Sequence, residues 1–572
     1  MTAPFPSLII SASGITPLGS FAESQATFLQ PDASTIDAVV DLLSDRNIGV
    51  VAHFYMDVEL QGVLTAAMKR WKHIHISDSL VMADRACSMA EAGVDAIVVL
   101  GVDFMSENVR AVMDSAGHES VPVYRVDPRE IGCSLAESAE GRAYGAWLTK
   151  AARVPRSLHV IYINTALDVK GRAHSMVPTI TCTSSNVVRT VLQAAAQVPD
   201  LSVWYGPDTY MGDNLRSLFT RLASADPAEV SALHPDHTPE TIADLLTRFE
   251  VFPQGNCVVH HMFGEEVVRR VQIEHPDAYH TAHLEVPGEM FELAHEAARH
   301  GRGCVGSTSN ILHFIADKLA DALKVDIPAR LKFVLGTEAG MITAIVKRVG
   351  ELLSEAGRSD IDVEIIFPVA TDAVAINDEL NLGILPGVAG GEGCSTAGGC
   401  ATCPYMKMNS LDALFDVLES VGTERDMTPL EPKKYTELIN GRTAADIGCE
   451  PILHMRHFQR TDALPDALVD AVLRQTGQPK GNATAPPSRM GITACIEQSV
   501  HGNGTRPVLV VDPMAHRGAC GDALEVMPSR GAQPPQVDGE RSHRASAFGS
   551  TVDLRLLGSA RSSKAAAVNE KA

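Results

Sequence analysis

The fold is indicated by the stretch Ile48-Gly49-Val50-Val51-Ala52-His53-Phe54-Tyr55, an apolar run of strand length that ends in polar and aromatic residues. Further β-rich runs follow, and segments with a helical pattern separate them: Ala96 to Val102, Leu158 to Asn164, Leu201 to Tyr205, Cys257 to His261, Lys332 to Gly336 and Val363 to Phe367. Strands that alternate with helices form parallel sheets covered by helices on both faces. The sequence therefore predicts an α/β fold.

Polar residues stand where several of these strands end: His53-Phe54-Tyr55, Gly101-Val102-Asp103, Tyr162-Ile163-Asn164 and Gly206-Pro207-Asp208. In open α/β sheets, ligands bind beyond the carboxyl ends of the strands. We therefore expect the functional groups at these ends. No Gly-x-Gly-x-x-Gly follows a first strand, which disfavours an enzyme that binds dinucleotides or nucleotide sugars.

The chain has 572 residues, and this length predicts several lobes because single cores stop growing near roughly 250 to 300 residues. Residues 1–36 and 479–572 are rich in small and polar residues without sustained periodicity, and we expect both to be poorly ordered tails. Between them we predict three α/β lobes, at 37–130, 131–250 and 251–400. A helical segment at 401–478 follows the third lobe.

Composition narrows the class of protein. With 45% hydrophobic and 21% charged residues, the chain resembles an ordinary soluble domain. A net charge of -22 argues against sequence-independent nucleic-acid binding, which needs clustered Lys and Arg. No apolar run reaches the 18 residues of a membrane span. The first basic residue is Arg46, so neither a secretory signal nor an organellar transit peptide is predicted, and a cytoplasmic location is favoured over a plastid.

Three of the eleven cysteines share a local setting, since each follows a Gly-rich or polar loop. They are Cys133, Cys257 and Cys403, and they are spaced by about one α/β unit. An odd number of cysteines at irregular spacings fits a reducing compartment better than a disulfide framework. We predict that each lobe offers one thiolate to a shared iron-sulfur centre that leaves one iron open to substrate.

Cys394, Cys400 and Cys403 form the one dense cysteine group, in a glycine-rich loop. Such a group binds zinc, binds an iron-sulfur cluster or cycles as a redox pair. Structural zinc is disfavoured, because no further ligand pair follows at finger spacing. The alternative function is therefore a metal-binding regulatory protein that senses redox state through these three cysteines. A regulatory disulfide between Cys394 and Cys400 is left open.

Three hydroxyl-rich segments precede helical patterns: Ser77-Asp78-Ser79, Thr183-Ser184-Ser185-Asn186 and Gly306-Ser307-Thr308-Ser309. They predict helix N-caps, and helix N-termini also bind phosphates and carboxylates. In the predicted third lobe, His260 lies three residues after Cys257, and His283 and Glu285 alternate as on one face of a strand. A lone buried histidine is usually structural, but this grouping favours function.

Taken together, these segments resemble quinolinate synthase, and most closely its plant form, from about Ile48 to Leu411. The matching stretches include His-Phe-Tyr-Met-Asp at 53–57, Gly-Val-Asp-Phe-Met-Ser-Glu at 101–107, Tyr-Ile-Asn-Thr at 162–165, His-Leu-Glu-Val at 283–286, Gly-Thr-Glu-Ala-Gly-Met at 336–341 and Cys-Pro-Tyr-Met-Lys-Met-Asn at 403–409. The resemblance implies three homologous three-layer α/β/α lobes, in a pseudo-threefold triangle around a 4Fe-4S cluster with three cysteine ligands and one open iron. It also implies the condensation of iminoaspartate with dihydroxyacetone phosphate to quinolinate, with loss of phosphate and water, in de novo NAD biosynthesis.

The resemblance also assigns roles to residues. Cys133, Cys257 and Cys403 match the cluster ligands, and Tyr55, Tyr162 and Glu285 match the acid/base groups. For Glu285 we expect a closed pocket to tune the pKa toward neutrality. The residues that match the substrate-holding groups are His53, Ser79, Asn164, Ser184, His260, His283 and Thr308.

Partners follow from the same resemblance. Plant members carry an N-terminal sulfur-transfer domain, for which the short segment before Ile48 leaves no room. We therefore expect separate iron-sulfur assembly proteins. An L-aspartate oxidase or dehydrogenase is expected to supply iminoaspartate.

Overall fold

The computed structural model describes residues 4–368 and 402–476, and it begins with an ordered hairpin and a helix. Strands β1 (Ser7–Ser11) and β2 (Gly14–Leu18) pair antiparallel, and helix α1 (Ser20–Thr27) follows. The prediction of a poorly ordered tail over residues 1–36 is therefore wrong for these elements. Leu8, Ile10 and Phe21 are buried against a sheet formed much later in the chain, and local sequence patterns do not reveal such long-range contacts.

A four-stranded parallel sheet forms the first lobe, in the strand order β4-β3-β5-β6. Val51 packs into one core cluster, whereas Val50 and Ala52 pack into another. Both faces of β3 are therefore covered, as its continuous apolar run predicts. The elements are α2 (Ala33–Asp45), β3 (Ile48–His53), α3 (Val58–Ala67), β4 (Ile74–Ser77), α4 (Ser79–Glu91), β5 (Ala96–Leu100), α5 (Asp103–Ser115) and β6 (Val123–Tyr124).

The second lobe repeats this order as β8-β7-β9-β10, again with all strands parallel. Its helices begin at α6 (Ser134–Glu140) and α7 (Arg142–Ala151). The remaining elements are β7 (Ser157–Tyr162), α8 (Leu167–Met176), β8 (Thr179–Cys182), α9 (Val187–Gln197), β9 (Ser202–Gly206), α10 (Thr209–Leu222), α11 (Pro227–Leu233), α12 (Pro239–Leu246) and β10 (Phe249–Val251).

The third lobe has the order β12-β11-β13-β14, and the N-terminal strands β1 and β2 extend it. Strand β1 joins β14 antiparallel, whereas the other pairs are parallel. The elements are α13 (Glu265–Glu274), β11 (Tyr279–His283), α14 (Gly288–Arg299), β12 (Gly303–Gly306), α15 (Thr308–Leu323), β13 (Ala329–Gly336), α16 (Ile342–Ala356) and β14 (Ile361–Ile366). The run Cys257 to His261 is not a strand, because it forms a turn that leads into a 3-10 helix at His260–Met262.

When the four parallel strands of each sheet are numbered along the chain, their spatial order is the same in all three sheets: second, first, third, fourth. The predicted α/β class is confirmed. The division into lobes at 37–130, 131–250 and 251–400 and the pseudo-threefold triangle remain predictions. Among the described residues, no helix combines the length and apolar character that a membrane span requires.

The C-terminal described segment, 402–476, contains α17 (Leu411–Ser420), the short hairpin β15 (Leu438–Ile439) and β16 (Arg442–Thr443), α18 (Ala444–Thr461) and α19 (Asp466–Leu473). Helix α18 packs against α8 of the second lobe with glycine at the contact. A Cβ atom on Gly448 would lie 2.1 Å from the carbonyl oxygen of Leu167, and one on Gly171 would lie 2.5 Å from that of Ala444. The predicted tail at 479–572 lies outside the described residues.

This backbone contact predicts that Gly448→Ala lowers the free energy of unfolding by about 1 to 3 kcal/mol, because the added methyl group meets a carbonyl that cannot move aside. Gly350→Ala in α16 is the matched control, since no atom lies within 4 Å of its added Cβ. Helix propensity favours Ala over Gly, so the control should be neutral or more stable. Chemical denaturation of both variants tests this, and equal stabilities would contradict the close approach.

Candidate active site

A buried pocket lies where strands from all three lobes end. Every predicted site residue except His260 lines it. His260 lies directly behind the lining and contacts Glu285. The lining residues predicted from sequence are His53, Tyr55, Ser79, Cys133, Tyr162, Asn164, Ser184, Cys257, His283, Glu285, Thr308 and Cys403.

Each lobe contributes these residues from equivalent strands. The first strand of each sheet leads to His53 and Tyr55, to Tyr162 and Asn164, and to His283 and Glu285. The second strand of each sheet leads to Ser79, Ser184 and Thr308. Carboxyl ends of parallel strands lie at the same edge of a sheet, and this geometry brings residues from distant parts of the sequence into one pocket.

The predicted hydroxyl-rich helix starts are confirmed. Helix α4 begins at Ser79, α15 begins at Thr308, and α9 follows Thr183 and Ser184. Among the described residues that line the pocket there is no Lys or Arg. At this surface the helix N-termini add positive potential through their backbone N–H groups.

One hydrogen-bonded chain links the three predicted acid/base residues. The Tyr162 hydroxyl donates to Glu285 Oε1, and His260 Nδ1 lies 3.1 Å from Glu285 Oε2. His260 Nε2 lies 3.3 Å from Thr337 Oγ1. Thr337 Oγ1 in turn lies 3.1 Å from Tyr55 Oη. The chain runs from the second lobe through the third to the first, so proton positions at its two ends are coupled.

The histidines have defined tautomers. The backbone N–H of Tyr55 donates to His53 Nδ1 at 3.1 Å, and that of Glu285 donates to His283 Nδ1 at 3.3 Å. In a neutral ring, an accepting Nδ1 leaves the proton on Nε2. Nε2 of His283 lies 3.1 Å from Ser184 Oγ. Both rings therefore present N–H donors at Nε2.

Burial sets the charge of these rings and phenols. It lowers the pKa of His53 and of His283 to about 4, so both are neutral at pH 7. Burial also raises the pKa of Tyr55 and of Tyr162 well above 10. At neutral pH the two tyrosines are therefore proton donors.

Glu285 behaves differently from the expectation. Burial opposes its ionisation, but attraction to His283 and His260 and the hydrogen bonds from His260 and Tyr162 outweigh it and lower the pKa to about 2. The prediction of a pKa tuned toward neutrality is therefore wrong. The reason is that the closed pocket surrounds the carboxylate with donors instead of apolar groups. At neutral pH Glu285 is therefore a carboxylate.

Cys133, Cys257 and Cys403 are partly buried and all face the pocket. Burial raises the pKa of Cys133 to about 12 and that of Cys257 and of Cys403 well above 9. Thiols in such surroundings lose their protons when a metal binds. Cys394 and Cys400, for which a regulatory disulfide was left open, lie outside the described residues.

A second donor group overlaps the first. One ligand atom each from Cys257, His260 and Glu285 lies within 4.8 Å of the others. However, His260 Nδ1 and Glu285 Oε2 already hydrogen-bond each other. A metal ion would need lone pairs on these atoms that the hydrogen bond occupies.

Sequence reasoning missed two residues of this site, Thr337 and Glu338. Thr337 joins His260 to Tyr55, and Glu338 lines the pocket with 3% of its surface exposed. The signal was present, because Gly336-Thr337-Glu338 ends its strand in the same pattern as Gly101-Val102-Asp103 and Gly206-Pro207-Asp208.

Parallel sheets whose strand ends converge on an acid/base chain and three thiols define an α/β enzyme with a candidate metal centre. A family model described as Quinolinate synthetase A protein matches residues 37–355. The chain therefore belongs to the quinolinate synthase family, the enzymes that make quinolinate in NAD biosynthesis.

Individual relatives agree with this assignment. The chloroplastic quinolinate synthase of Nicotiana tabacum is 54% identical over 484 residues, which cover 82% of this chain and 67% of the relative. That of Arabidopsis thaliana is 53% identical over 482 residues, covering 82% and 67%. The quinolinate synthase of Prochlorococcus marinus strain MIT 9313 is 26% identical over 384 residues, covering 67% and 83%. As predicted, the chain resembles the plant form more than the bacterial one.

The expectation of a cytoplasmic location is contradicted by these relatives. The relatives at 53–54% identity are named chloroplastic. The expectation rested on the lack of basic residues before Arg46. Targeting segments are separate from the fold, so the sequence of the folded domain does not indicate the compartment.

The hydrogen bond from Tyr162 predicts a shifted pH profile. Tyr162→Phe removes a donor that favours the charged form of Glu285, so the pKa of Glu285 should rise from about 2. Activity that needs the carboxylate should then fall off at a higher pH on the acid side. The measurement is kcat/KM against pH, normalised to its maximum.

Tyr205→Phe is the control for this change. Tyr205 is also buried, but its hydroxyl has no hydrogen-bond partner among the described residues. Its profile should follow the wild type. An unshifted acid limb in Tyr162→Phe would show that this hydrogen bond does not set the charge of Glu285.

Proposed function

We propose that the chain is a transferase that condenses iminoaspartate with dihydroxyacetone phosphate to quinolinate, with loss of phosphate and water, and that it depends on a 4Fe-4S cluster. One observation carries the proposal. Three cysteines, each following the fourth strand of its own sheet, line the pocket that also contains the acid/base chain. Membership of the quinolinate synthase family supports the reaction.

The donor set of the pocket fits such a cluster. Cys133, Cys257 and Cys403 would hold it, since soft thiolates select iron-sulfur clusters. Among the described residues that line the pocket there is no fourth cysteine. When bound, the cluster would supply a Lewis acid at the iron that has no thiolate.

Substrate binding falls to uncharged donors. Both substrates are anions, and Ser79, Ser184 and Thr308 stand at helix starts where carboxylates and phosphate are stabilised. Asn164 and the Nε2–H groups of His53 and His283 would add directed hydrogen bonds. His260 supports the site from behind, because both of its ring nitrogens are engaged by Glu285 and Thr337.

Proton transfer falls to the chain described above. The Glu285 carboxylate would accept a proton from the substrate, since its low pKa keeps it charged in the free protein. The neutral hydroxyls of Tyr162 and Tyr55 would donate protons to leaving oxygen atoms. Contact between Tyr162 and Glu285 would return a proton to the Tyr162 phenol, and the chain from Glu285 through His260 and Thr337 would return one to Tyr55.

The regulatory alternative has no comparable support. It requires Cys394, Cys400 and Cys403 to act as a local trio, and the first two lie outside the described residues. Cys403 instead shares the pocket with Cys133 and Cys257. The upstream and assembly partners proposed with the reaction are an L-aspartate oxidase or dehydrogenase, which would supply iminoaspartate, and iron-sulfur assembly proteins.

The cluster proposal predicts that Cys133→Ala, Cys257→Ala and Cys403→Ala each lose bound iron, sulfide and the broad visible absorption of the protein purified without air. Each removes one of three thiolates, and two cannot hold the cluster in place. Cys182→Ala is the control, because Cys182 is buried at the end of β8 and does not line the pocket. Full cluster content in any of the first three variants would remove that residue from the ligand set.

The reaction itself is tested by anaerobic incubation with iminoaspartate and dihydroxyacetone phosphate, with quinolinate as the product measured. Glu285→Gln should lower kcat by about 100-fold to 10 000-fold, the usual loss when a general acid or base is removed, while iron content and fold persist. Glu296→Gln on α14, with an exposed side chain, should keep wild-type turnover. No quinolinate from the wild type would refute the proposed reaction, and near-normal turnover in Glu285→Gln would remove Glu285 from it.

A further inference from the structure

A turn of the form Gly-x-acid follows the third strand of all three sheets. The turns are Gly101-Val102-Asp103, Gly206-Pro207-Asp208 and Gly336-Thr337-Glu338. The exposed fractions of the three acidic residues are 7%, 0% and 3%. In each, one carboxylate oxygen has no hydrogen-bond partner among the described residues. A buried acid that lacks a full set of partners is unfavourable for stability. Asp208 is the N-cap of α10 and accepts the Met211 N–H, whereas helix capping does not account for Asp103 and Glu338.

Each turn contacts the cysteine loop of its own lobe. In the first lobe, the backbone N–H of Asp103 donates to the carbonyl of Ile131 at 2.9 Å, two residues before Cys133. In the second lobe, the backbone N–H of Thr209 donates to the carbonyl of Gly255 at 2.6 Å, two residues before Cys257. A Cβ on Gly255 would lie 2.1 Å from the carbonyl oxygen of Pro207, so the two loops meet backbone to backbone.

The contact in the third lobe involves the cysteine itself. The backbone N–H of Cys403 donates to the carboxyl group of Glu338. Glu338 also lines the pocket, and the preceding residue, Thr337, belongs to the hydrogen-bonded chain of the site. The side chain therefore ties Cys403 to the turn after β13 that contains Thr337.

We propose that Glu338 is a positioning residue for Cys403. The carboxyl group of Glu338 accepts the Cys403 N–H and so fixes the backbone of this cysteine, with its thiol pointing into the pocket. Asp103 has the corresponding role in the first lobe through Arg125. The Arg125 guanidinium lies 2.7 Å from Asp103 and donates to the carbonyl of Arg129 at 3.0 Å, in the loop that leads to Cys133. The inference rests on the proposed cluster, and the test separates the two.

The experiment compares Glu338→Gln with Glu338→Met. Both keep the length of the side chain, but only Gln keeps an oxygen that accepts the Cys403 N–H. The first measurement, on protein without the cluster, is amide hydrogen exchange at Cys403. We expect wild-type exchange in Glu338→Gln and exchange at least tenfold faster in Glu338→Met, with the Cys133 and Cys257 amides unchanged in both.

The second measurement is the rate at which an iron chelator removes the cluster from protein assembled without air. Glu338→Met should lose iron at least tenfold faster than the wild type, and Glu338→Gln at the wild-type rate, since Gln keeps the oxygen that accepts the Cys403 N–H. Fast loss in Gln as well as Met would overturn the positioning role. Equal retention in all three proteins would overturn it too.

Folding is controlled by thermal unfolding of the cluster-free variants. If Glu338→Met fails to fold, Glu338→Asp replaces it, because the shorter side chain keeps a carboxyl group but withdraws it from the Cys403 N–H, and fast iron loss is again expected. A wild type that binds no cluster would refute the proposed function alone, since hydrogen exchange at Cys403 still tests the contact with Glu338.

Discussion

The buried carboxylate of Glu285 is the group around which the pocket is organised. A charge removed from water needs donors close by, and these come from different lobes. Tyr162 reaches it from the second lobe and His260 from the third, while His260 continues through Thr337 to Tyr55 of the first. The same contacts that stabilise the charge hold the lobes at the pocket. The hydrogen bonds that compensate the charge of Glu285 are therefore also contacts between the lobes.

Within each lobe, the position of a strand in the sheet decides what its end contributes. First strands lead to the predicted acid/base residues and histidines, and second strands lead into hydroxyl-bearing helix starts. Third strands end in buried acids beside the cysteine loops, and fourth strands precede the cysteines. Three copies of one topology thus provide four kinds of group three times, although the individual side chains differ.

Two elements at the ends of the described chain depend on contacts far away in sequence. The hairpin of β1 and β2 completes the third sheet through β14, and α18 lies on α8 through Gly171 and Gly448. The hairpin was missed because its burial pattern becomes meaningful only beside a strand formed much later. The helical character of the C-terminal segment was predictable, since it is encoded locally, but its docking site was not.

The sequence by itself determined the α/β class, the helix starts at Ser79 and Thr308, and, through motifs in a fixed order, the family and the candidate site residues. Those features follow from local periodicity, capping chemistry and residue identity, which act over a few positions. Only the tertiary structure decided the charge of Glu285, the placement of His260 behind the pocket, and the inclusion of Thr337 and Glu338. The physical reason is that a pKa and a hydrogen-bond partner depend on which groups surround an atom in space. For Glu285 those groups come from a strand more than a hundred residues away, at Tyr162.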